Sequence, residues 1–311
     1  NYKKDVKFMN ILVTGGSGLV GKHLQDIMED AVFLSSSNGD LLRVDDVEYL
    51  LKYYKPDVVV HLAARVGGVL DNINYPVEYL ELNTLMTTNL LRACHKYDVN
   101  RVIAMGSTCV YPDVMEEYPM KETDLFKGPP PPDNFAYAMS KRLMSTQIDS
   151  YRKQYNRDWS YLIPCNLYGE YDKYEEHHSH FLSALIKKIH EASDTVEVWG
   201  TGKPLRQFLY APDFAKIIIK ILFEYVETSP IICCTDKEYT IKELVLKVMD
   251  TMNMDHEKLT WLTDKSDGVM KKTVSNKKLM KLFSNLEFTS LDEGLKHTYD
   301  WFVINYNNIR K

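Results

Sequence analysis

The chain has 311 residues, of which 45% are hydrophobic, so it can bury one large core or two modest ones. Its formal net charge of −5 provides no basic surface of the kind that binds nucleic acid or an anionic membrane. It has no apolar stretch of the roughly 18 residues that cross a bilayer, no signal-peptide core, and five cysteines without metal-ligand spacing. We therefore expect a cytoplasmic protein with reduced thiols and without nucleic-acid or membrane partners.

The first element is a short apolar strand followed by a glycine-rich turn and a helix. The run 11–13 precedes glycines at positions 15, 18 and 21, and helical spacing of apolar residues follows. Glycines at this spacing allow a sharp turn, close approach to a pyrophosphate and packing of helix against strand. A glycine turn alone is weak evidence, but this context predicts a dinucleotide site that includes Gly15, Ser17, Gly18, Leu19, Val20 and Gly21.

The second apolar run, residues 31–34, ends in three serines and an asparagine. An acidic residue at this place usually binds the ribose diol of NAD, and it would repel the 2′-phosphate of NADP. Because the carboxylate is missing, we predict NADP, used as NADPH, with Ser36 in the cofactor site. Asp40 and Leu41 are placed near the adenine, although Asp40 could instead cap a helix.

Helix and strand signals then alternate regularly. We predict helices at 47–54 and 76–94, and strands at 58–62 and 102–105. This alternation is typical of an α/β fold, here a Rossmann-type doubly wound parallel sheet, which binds ligands at the carboxyl ends of its strands. Those ends supply Leu62, Ala63 and Ala64 after one strand, and Ser107, Thr108 and Cys109 after the next.

The second half of the chain has shorter strand signals between charged helices, predicted at 181–191, 214–225 and 241–252. We therefore divide the chain into an NADP-binding domain, residues 9–165 with short later segments, and a smaller α/β substrate-binding lobe, mainly residues 166–311.

A proline-rich loop, residues 128–133, precedes a helix that carries Tyr137 and Lys141. Four residues apart on a helix, the two side chains lie on one face. An ammonium group near a phenol favours the phenolate, which lets the hydroxyl give a proton to a substrate oxygen and regain it. Alone, this spacing is common on solvated helix faces.

The glycine turn, Ser107, Tyr137 and Lys141 in this order resemble the extended short-chain dehydrogenase/reductases. Further motifs resemble the GDP-L-fucose synthase family within them, from about residue 10 to the C-terminus. They are Val66-Gly67-Gly68, Ser107-Thr108-Cys109-Val110-Tyr111-Pro112, Gly128-Pro129-Pro130, Pro164-x-Asn166-Leu167-Tyr168-Gly169, Ser179-His180, Val198-Trp199-Gly200-Thr201-Gly202, Arg206-Gln207-Phe208 and Ser266-Asp267-Gly268. The resemblance implies a bifunctional enzyme that epimerises GDP-4-keto-6-deoxy-D-mannose at C3 and C5 and reduces C4 with NADPH.

The resemblance also implies residue roles. Cys109 and His180 match the base and acid of the epimerisation. Ser107 and Tyr137 would hold the C4 oxygen, which Tyr137 would also protonate, while Lys141 would bind the nicotinamide ribose and keep the pKa of Tyr137 low. Implied cofactor contacts continue at Pro164, Asn166, Leu167 and His180, and implied GDP-sugar contacts are Asn166, Lys188, Trp199, Arg206 and Lys272.

Two assignments stay open within this resemblance. Lys271 could replace Lys272 at the substrate site. A homodimer through the helices at 76–94 and 137–155 is implied by analogy only.

Other readings are possible. A different nucleotide-sugar epimerase, reductase or dehydratase has the same fold, although dehydratases usually carry an acidic residue where this chain has Thr108-Cys109. A non-catalytic dinucleotide sensor is also possible, but such proteins tend to lose the Tyr-Lys pair. His177 and His178 beside His180 could suggest a metal; without carboxylate or cysteine partners at ligand spacing, we predict none and interpret both as loop residues.

Overall fold

The computed structural model describes residues 9–175, 179–224 and 230–309. The strands are β1 Ile11–Thr14, β2 Val32–Leu34, β3 Val58–His61, β4 Arg101–Met105, β5 Asp158–Pro164, β6 Asn166–Tyr168, β7 Val196–Trp199, β8 Leu205–Arg206, β9 Phe208–Tyr210, β10 Ile231–Cys233, β11 Tyr239–Thr240, β12 Leu259–Leu262 and β13 Lys271–Lys272. The α-helices are α1 Leu19–Gln25, α2 Val44–Tyr54, α3 Val69–Asn74, α4 Pro76–Lys96, α5 Phe135–Tyr155, α6 Phe181–Glu191, α7 Ala211–Phe223, α8 Ile241–Thr251, α9 Lys277–Leu282 and α10 Leu291–Asn305.

Six parallel strands form the central sheet in the order β10-β5-β4-β3-β1-β2. Their residues are largely Val, Ile and Leu because helices cover both faces of the sheet. All four residues of β3 are buried, and Val60 pairs with Val13 of β1. β2 lies on one side of β1, and β3 lies on the other. The order in which successive strands are added to the sheet therefore reverses between β1 and β3. A ligand site is expected at the carboxyl edge of this point.

Local sequence fixes several helix ends. α4 begins with Pro76, whose lack of an N–H costs nothing at the first helical position. α5 ends at Tyr155, and its C-cap Asn156 adopts the left-handed conformation, with φ of 53°. α8 begins with a reciprocal capping box, in which Thr240 accepts from the Glu243 amide and the Glu243 carboxylate accepts from the Thr240 amide.

The buried apolar residues form two clusters. The larger contains the central sheet and the helices on its faces, and it includes residues from α7, β10 and α9 of the second half of the chain. The smaller joins α6, α8 and α10 with β7 and β9. In α6, Leu182, Leu185, Ile186 and Ile189 are buried at helical spacing, which fixes the face that packs inward.

The predicted α/β class and the parallel sheet are confirmed. The helix predicted at 214–225 begins earlier, at Ala211, because Pro212 and Asp213 suit a first helical turn; residue 225 lies outside the described residues. The proline-rich loop contains one short 3-10 turn, Pro132–Asn134. The domain boundary near residue 165 stays a prediction. No helix in the described ranges is long and apolar enough to span a membrane.

Candidate active site

The glycine-rich turn joins β1 to α1 and lies against the end of β3. Gly15 has φ of +74°, and a Cβ there would stand 2.7 Å from the Ala63 amide nitrogen. A Cβ on Gly21 would come within 2.5 Å of the Gly15 carbonyl oxygen. Bare backbone therefore reaches the carboxyl edge of the sheet, as in turns that bind a pyrophosphate.

Other residues predicted for this turn contribute differently. Gly18 is the N-cap of α1 and Ser17 beside it is exposed. Leu19 and Val20 are buried, and Val20 belongs to the larger core. These two side chains pack inward, so their backbone is the part that faces the turn.

The end of β2 forms a polar turn next to this loop. The Ser35 amide donates to Asn38 Oδ1 at 2.8 Å, which leaves Ser36 exposed at the turn. Asp40 Oδ1 accepts from the Leu42 amide at 2.9 Å. This contact is an Asx-turn and not a helix cap, because α2 begins after Arg43 and has no side-chain cap hydrogen bond. The Leu41 carbonyl is held by Asn89 at 3.1 Å.

His61 ends β3 beneath the site and is buried. Its Nδ1 lies 2.8 Å from Thr14 Oγ1 and its Nε2 lies 3.4 Å from Thr87 Oγ1. Burial, helped by the charge of Lys141, lowers the pKa of His61 to about 3, so the ring is neutral. The next residues, at the carboxyl end of the strand, are Leu62, Ala63 and Ala64.

Ser107, Tyr137 and Lys141 come together beyond the end of β4. The Ser107 side chain lies close enough to Tyr137 to favour its phenolate. Lys141 is almost fully buried, its Nζ donates to the Met105 carbonyl at 2.9 Å, and it lies 5.8 Å from the centroid of the Tyr137 ring. The Tyr161 hydroxyl donates to the Lys141 carbonyl at 2.9 Å, which fixes this turn of α5 against β5.

The pKa values of this pair differ from the expectation. Burial raises the pKa of Tyr137, Cys109 and Tyr79 add to the rise, and only Ser107 opposes it. Burial also lowers the pKa of Lys141, to about 8. The predicted lowering of the Tyr137 pKa by Lys141 is therefore wrong for this structure, because burial disfavours the phenolate and Lys141 is not among the groups that shift this pKa. Tyr137 is held in its protonated, proton-donating form.

Cys109 stands two residues beyond Ser107, at the centre of a group of basic side chains. Its amide donates to Ser107 Oγ at 3.2 Å, and Lys272 Nζ lies 3.7 Å from its sulfur. Asp172 is the main cause that raises the pKa of His180, and Cys109 adds to that rise. Burial lowers the pKa of Arg206, and Cys109 opposes that change, so both cationic side chains lie near Cys109. The structure thus brings the predicted base and acid together on the Tyr137 side of the cleft.

The pairing of β13 with β8 distinguishes the two adjacent lysines. Lys272 pairs with Arg206 and turns toward Cys109. Lys271 instead forms an ion pair with Glu238 at 3.1 Å and lies 5.5 Å from the Tyr118 ring centroid. Successive residues of a strand point to opposite faces. Lys272 is therefore the one that faces the candidate site.

The other residues predicted for the GDP-sugar surround this centre less tightly. Asn166 Nδ2 donates to the Gln207 carbonyl at 2.8 Å, which joins β6 to the strand after Arg206. Lys188 is exposed on α6 and donates to the Glu197 carbonyl at 2.6 Å. Trp199 exposes 53% of its surface at the end of β7. Pro164 is the last residue of β5, and Asn166 and Leu167 are the first two residues of β6.

Two of the quoted motifs meet in the loop beyond Trp199. Asp267 accepts from the Thr201 amide at 2.6 Å and from its hydroxyl at 2.7 Å. Gly200 has φ of +83°, and a Cβ there would stand 2.3 Å from the Asp267 carboxylate. This contact explains why glycine and aspartate occur together in these motifs, and it fixes the loop that carries Trp199.

One buried side chain at this site has no counterpart in the sequence predictions. Asp172 contacts His180 Nδ1 with both carboxylate oxygens at 3.0 Å. In sequence it stands between Tyr171 and Lys173, where an acidic residue is read as loop surface. Only its burial distinguishes it, and no local pattern signals that.

His177 and His178 lie outside the described residues, and the rest contain no group of three acidic, His or Cys side chains arranged to hold a metal.

Known proteins resemble this chain over nearly its full length. The family model described as "NAD dependent epimerase/dehydratase family" matches residues 11–232. A Drosophila melanogaster protein named probable GDP-L-fucose synthase is 36% identical and covers 97% of this chain and 99% of its own length. GDP-L-fucose synthase of Dictyostelium discoideum is 37% identical and covers 97% of each chain.

A solved structure agrees with these sequences. It is that of a GDP-L-fucose synthetase from Naegleria fowleri bound to NADP, with a TM-score of 0.91 and 35% identity, covering 98% of this chain and 95% of that one. The match of the family model and the full-length similarity together show that this chain belongs to the NAD dependent epimerase/dehydratase family and, within it, to the GDP-L-fucose synthases.

Proposed function

We propose that this chain converts GDP-4-keto-6-deoxy-D-mannose to GDP-L-fucose, by epimerising C3 and C5 and reducing C4 with NADPH. The observation that supports it best is the meeting of Cys109 and His180 beside Ser107 and Tyr137. A reductase alone needs the Tyr137 acid and a hydride source. A base and a second acid next to them are what epimerisation adds.

The residues present fit NADP. Gly15 and Gly21 leave a backbone cradle that any Cβ would fill, and exposed Ser36 leaves no carboxylate at the turn after β2. Lys141 reaches the same edge of the sheet from α5 and would hold the nicotinamide ribose. Bound NADPH supplies the hydride that reduces C4.

Epimerisation requires proton removal next to the C4 ketone and proton return on the opposite face of the sugar. The Cys109 thiolate takes the proton from C3 or C5, and the electrons move onto the C4 oxygen as an enolate. Hydroxyl donors stabilise that oxygen, and Ser107 and Tyr137 are placed to donate. The His180 imidazolium then gives a proton to carbon, and exchange with solvent restores both groups.

Reduction uses the same contacts to the C4 oxygen. Tyr137 keeps its proton at neutral pH because burial raises its pKa. It gives that proton to the oxygen as the ketone becomes an alcohol. Lys141, with a pKa of about 8, is mostly charged at pH 7. Its ammonium lies 5.8 Å from the centroid of the Tyr137 ring, where a positive charge favours the phenolate that remains after the transfer.

The GDP part of the substrate would bind on the side of Lys188, Trp199 and Arg206. A guanidinium suits a diphosphate because it donates two parallel hydrogen bonds. The exposed indole of Trp199 offers a flat surface for a base or sugar.

The test is a direct assay. Purified protein with GDP-4-keto-6-deoxy-D-mannose and NADPH should lose the absorbance of reduced nicotinamide. GDP-mannose, which has no ketone at C4, is the matched control and should cause no loss. Equal traces with the two sugars would contradict the proposal.

We predict that NADPH is used better than NADH and that Ser36→Asp erodes or reverses this preference. A carboxylate at this exposed turn would repel a 2′-phosphate and accept hydrogen bonds from a ribose diol. The measurement is kcat/KM for each cofactor in both proteins. Ser193→Asp, at a turn after α6, controls for added charge and should change neither value. A natural preference for NADH would show that the interpretation of the 35–38 turn is wrong.

We also propose a cytoplasmic homodimer. Apolar side chains are exposed on α4 and on the neighbouring α5, among them Val77, Leu80, Leu85, Met139 and Leu143. Such a surface on two packed helices suits a second copy of the same surface. Sedimentation at twice the monomer mass would support the dimer, and sedimentation at the monomer mass would contradict it. The five unpaired cysteines are consistent with a reducing compartment.

A further inference from the structure

A buried aspartate lies behind the ring of His180. Asp172 is 2% exposed, in the segment between β6 and α6. Both of its carboxylate oxygens lie 3.0 Å from His180 Nδ1. The Ser183 hydroxyl donates to Oδ2 at 2.5 Å, and the Lys173 amide donates to Oδ1 at 2.8 Å. The carboxylate is therefore surrounded by donors, and among the described residues the ring that it contacts is His180.

The surroundings keep Asp172 ionised. Burial by itself raises the pKa of a carboxyl group, but the charge and hydrogen bond of His180, with the donors from Ser183 and Lys173, bring the pKa of Asp172 below its ordinary value. In return, the charge of Asp172 is the main cause that raises the pKa of His180. The two groups form a buried ion pair whose imidazole side opens to the cleft, with 44% of that side chain exposed.

We propose that Asp172 is a positioning residue for the epimerisation, and that it holds the His180 ring with Nδ1–H directed at the carboxylate and Nε2 as the nitrogen that transfers the proton. This inference rests on the proposed role of His180 as the acid. A carboxylate on one ring nitrogen fixes both the tautomer and the orientation of the other. It also stabilises the imidazolium, which is the form an acid needs.

Three charged or titratable groups act on His180 within the described residues. Asp172 and Cys109 favour its protonated form, and Lys173 opposes it. Arg206 and Lys272 stand next, around Cys109. Among these, only Asp172 contacts the ring through a hydrogen bond. Its loss should therefore move the titration of His180 more than any other single change that leaves Cys109 in place.

Asp172→Asn is the direct test because it keeps the shape of the side chain and removes the charge. An opposite charge at this distance typically shifts a pKa by about one to three units. We expect the His180 pKa, measured by NMR of histidine-labelled protein, to fall by at least about one unit. Deuterium uptake from solvent into C3 and C5, measured without NADPH, should then lose its high-pH limb at a correspondingly lower pH. At a pH above the His180 pKa of both the natural protein and the variant, the variant should take up deuterium at least about tenfold more slowly. Each unit by which the pKa falls lowers the protonated fraction of His180 about tenfold.

Asp213→Asn is the matched control. Asp213 is also buried, and its carboxylate accepts from the Thr289 amide at 2.6 Å, the Thr289 hydroxyl at 3.2 Å and Lys216 at 2.9 Å. It has no contact with His180 in the described structure. A general effect of losing a buried carboxylate should lower the melting temperature of both variants, whereas only Asp172→Asn should move the His180 titration.

The outcomes separate this inference from the proposed function. An unchanged His180 pKa in Asp172→Asn overturns the positioning role, even if the natural protein makes GDP-L-fucose. A shifted pKa in a protein that exchanges no deuterium leaves the Asp172–His180 pair established and removes the proposed function instead. If Asp172→Asn does not fold, the natural protein decides: a His180 pKa at or below the ordinary value of about 6.5 overturns the pairing, and a raised one supports it.

Discussion

Tyr137→Phe should lower the rate of NADPH oxidation by roughly two to four orders of magnitude, the range that a positioned general acid contributes. The hydroxyl is the group that would protonate the C4 oxygen. Its pKa is raised by burial, so the proton is present at neutral pH. The ring itself packs edge-on against Tyr79, with centroids 6.1 Å apart, and phenylalanine keeps that contact. The change therefore removes the chemistry and little else.

Tyr174→Phe is the control for this variant. The Tyr174 hydroxyl is buried in the smaller apolar cluster and has no hydrogen-bond partner in the described structure. Its removal should leave turnover within a few-fold of the natural rate. Both variants are compared by initial rates at saturating NADPH and sugar. Near-natural turnover of Tyr137→Phe would refute its assignment as the acid.

Cys109→Ser should separate epimerisation from reduction. A hydroxyl is far less acidic than a thiol, so serine at this position cannot readily become the base. Ser107, Tyr137 and Lys141 stay in place, because the Cys109 contact with Ser107 is made by its amide. We expect deuterium uptake at C3 and C5 to stop, while NADPH is still oxidised slowly. The product should be a GDP-6-deoxyhexose of the manno or talo series.

Cys94→Ser controls for the loss of a thiol. Cys94 is fully buried in the larger apolar cluster, so this change should lower the melting temperature and leave deuterium uptake intact. GDP-L-fucose formed by Cys109→Ser at the natural rate would mean that Cys109 is a packed thiol only. The base would then have to be sought elsewhere, first at His180.

Short-range patterns allowed much of the fold to be predicted. The β1 turn and α1 are contiguous in sequence, and their glycines are required by close backbone contacts that recur wherever this turn occurs. Tyr137 and Lys141 share a helix, so their spacing alone places them on one face. The addition of β10 to the central sheet was anticipated only as an unspecified later segment, because it depends on pairing with β5, about 70 residues earlier.

The candidate site was predicted in part from resemblance and not from pattern. Cys109 and His180 lie far apart in sequence, and no periodicity relates them. The choice between Lys271 and Lys272 depends on the register of a two-residue strand. The direction of the Tyr137 pKa shift does not follow from the sequence, because the sequence shows the neighbouring charge but not the depth of burial. Asp172 was missed for the same reason.

One site is proposed both to epimerise and to reduce the same sugar. The most direct measurement is a reaction in D₂O with GDP-4-keto-6-deoxy-D-mannose and stoichiometric NADPH, followed by NMR of the product. We expect GDP-L-fucose with deuterium at both C3 and C5. A reduced GDP-6-deoxyhexose of the manno or talo series without deuterium at these carbons would contradict it, since it would show a reductase without epimerase activity.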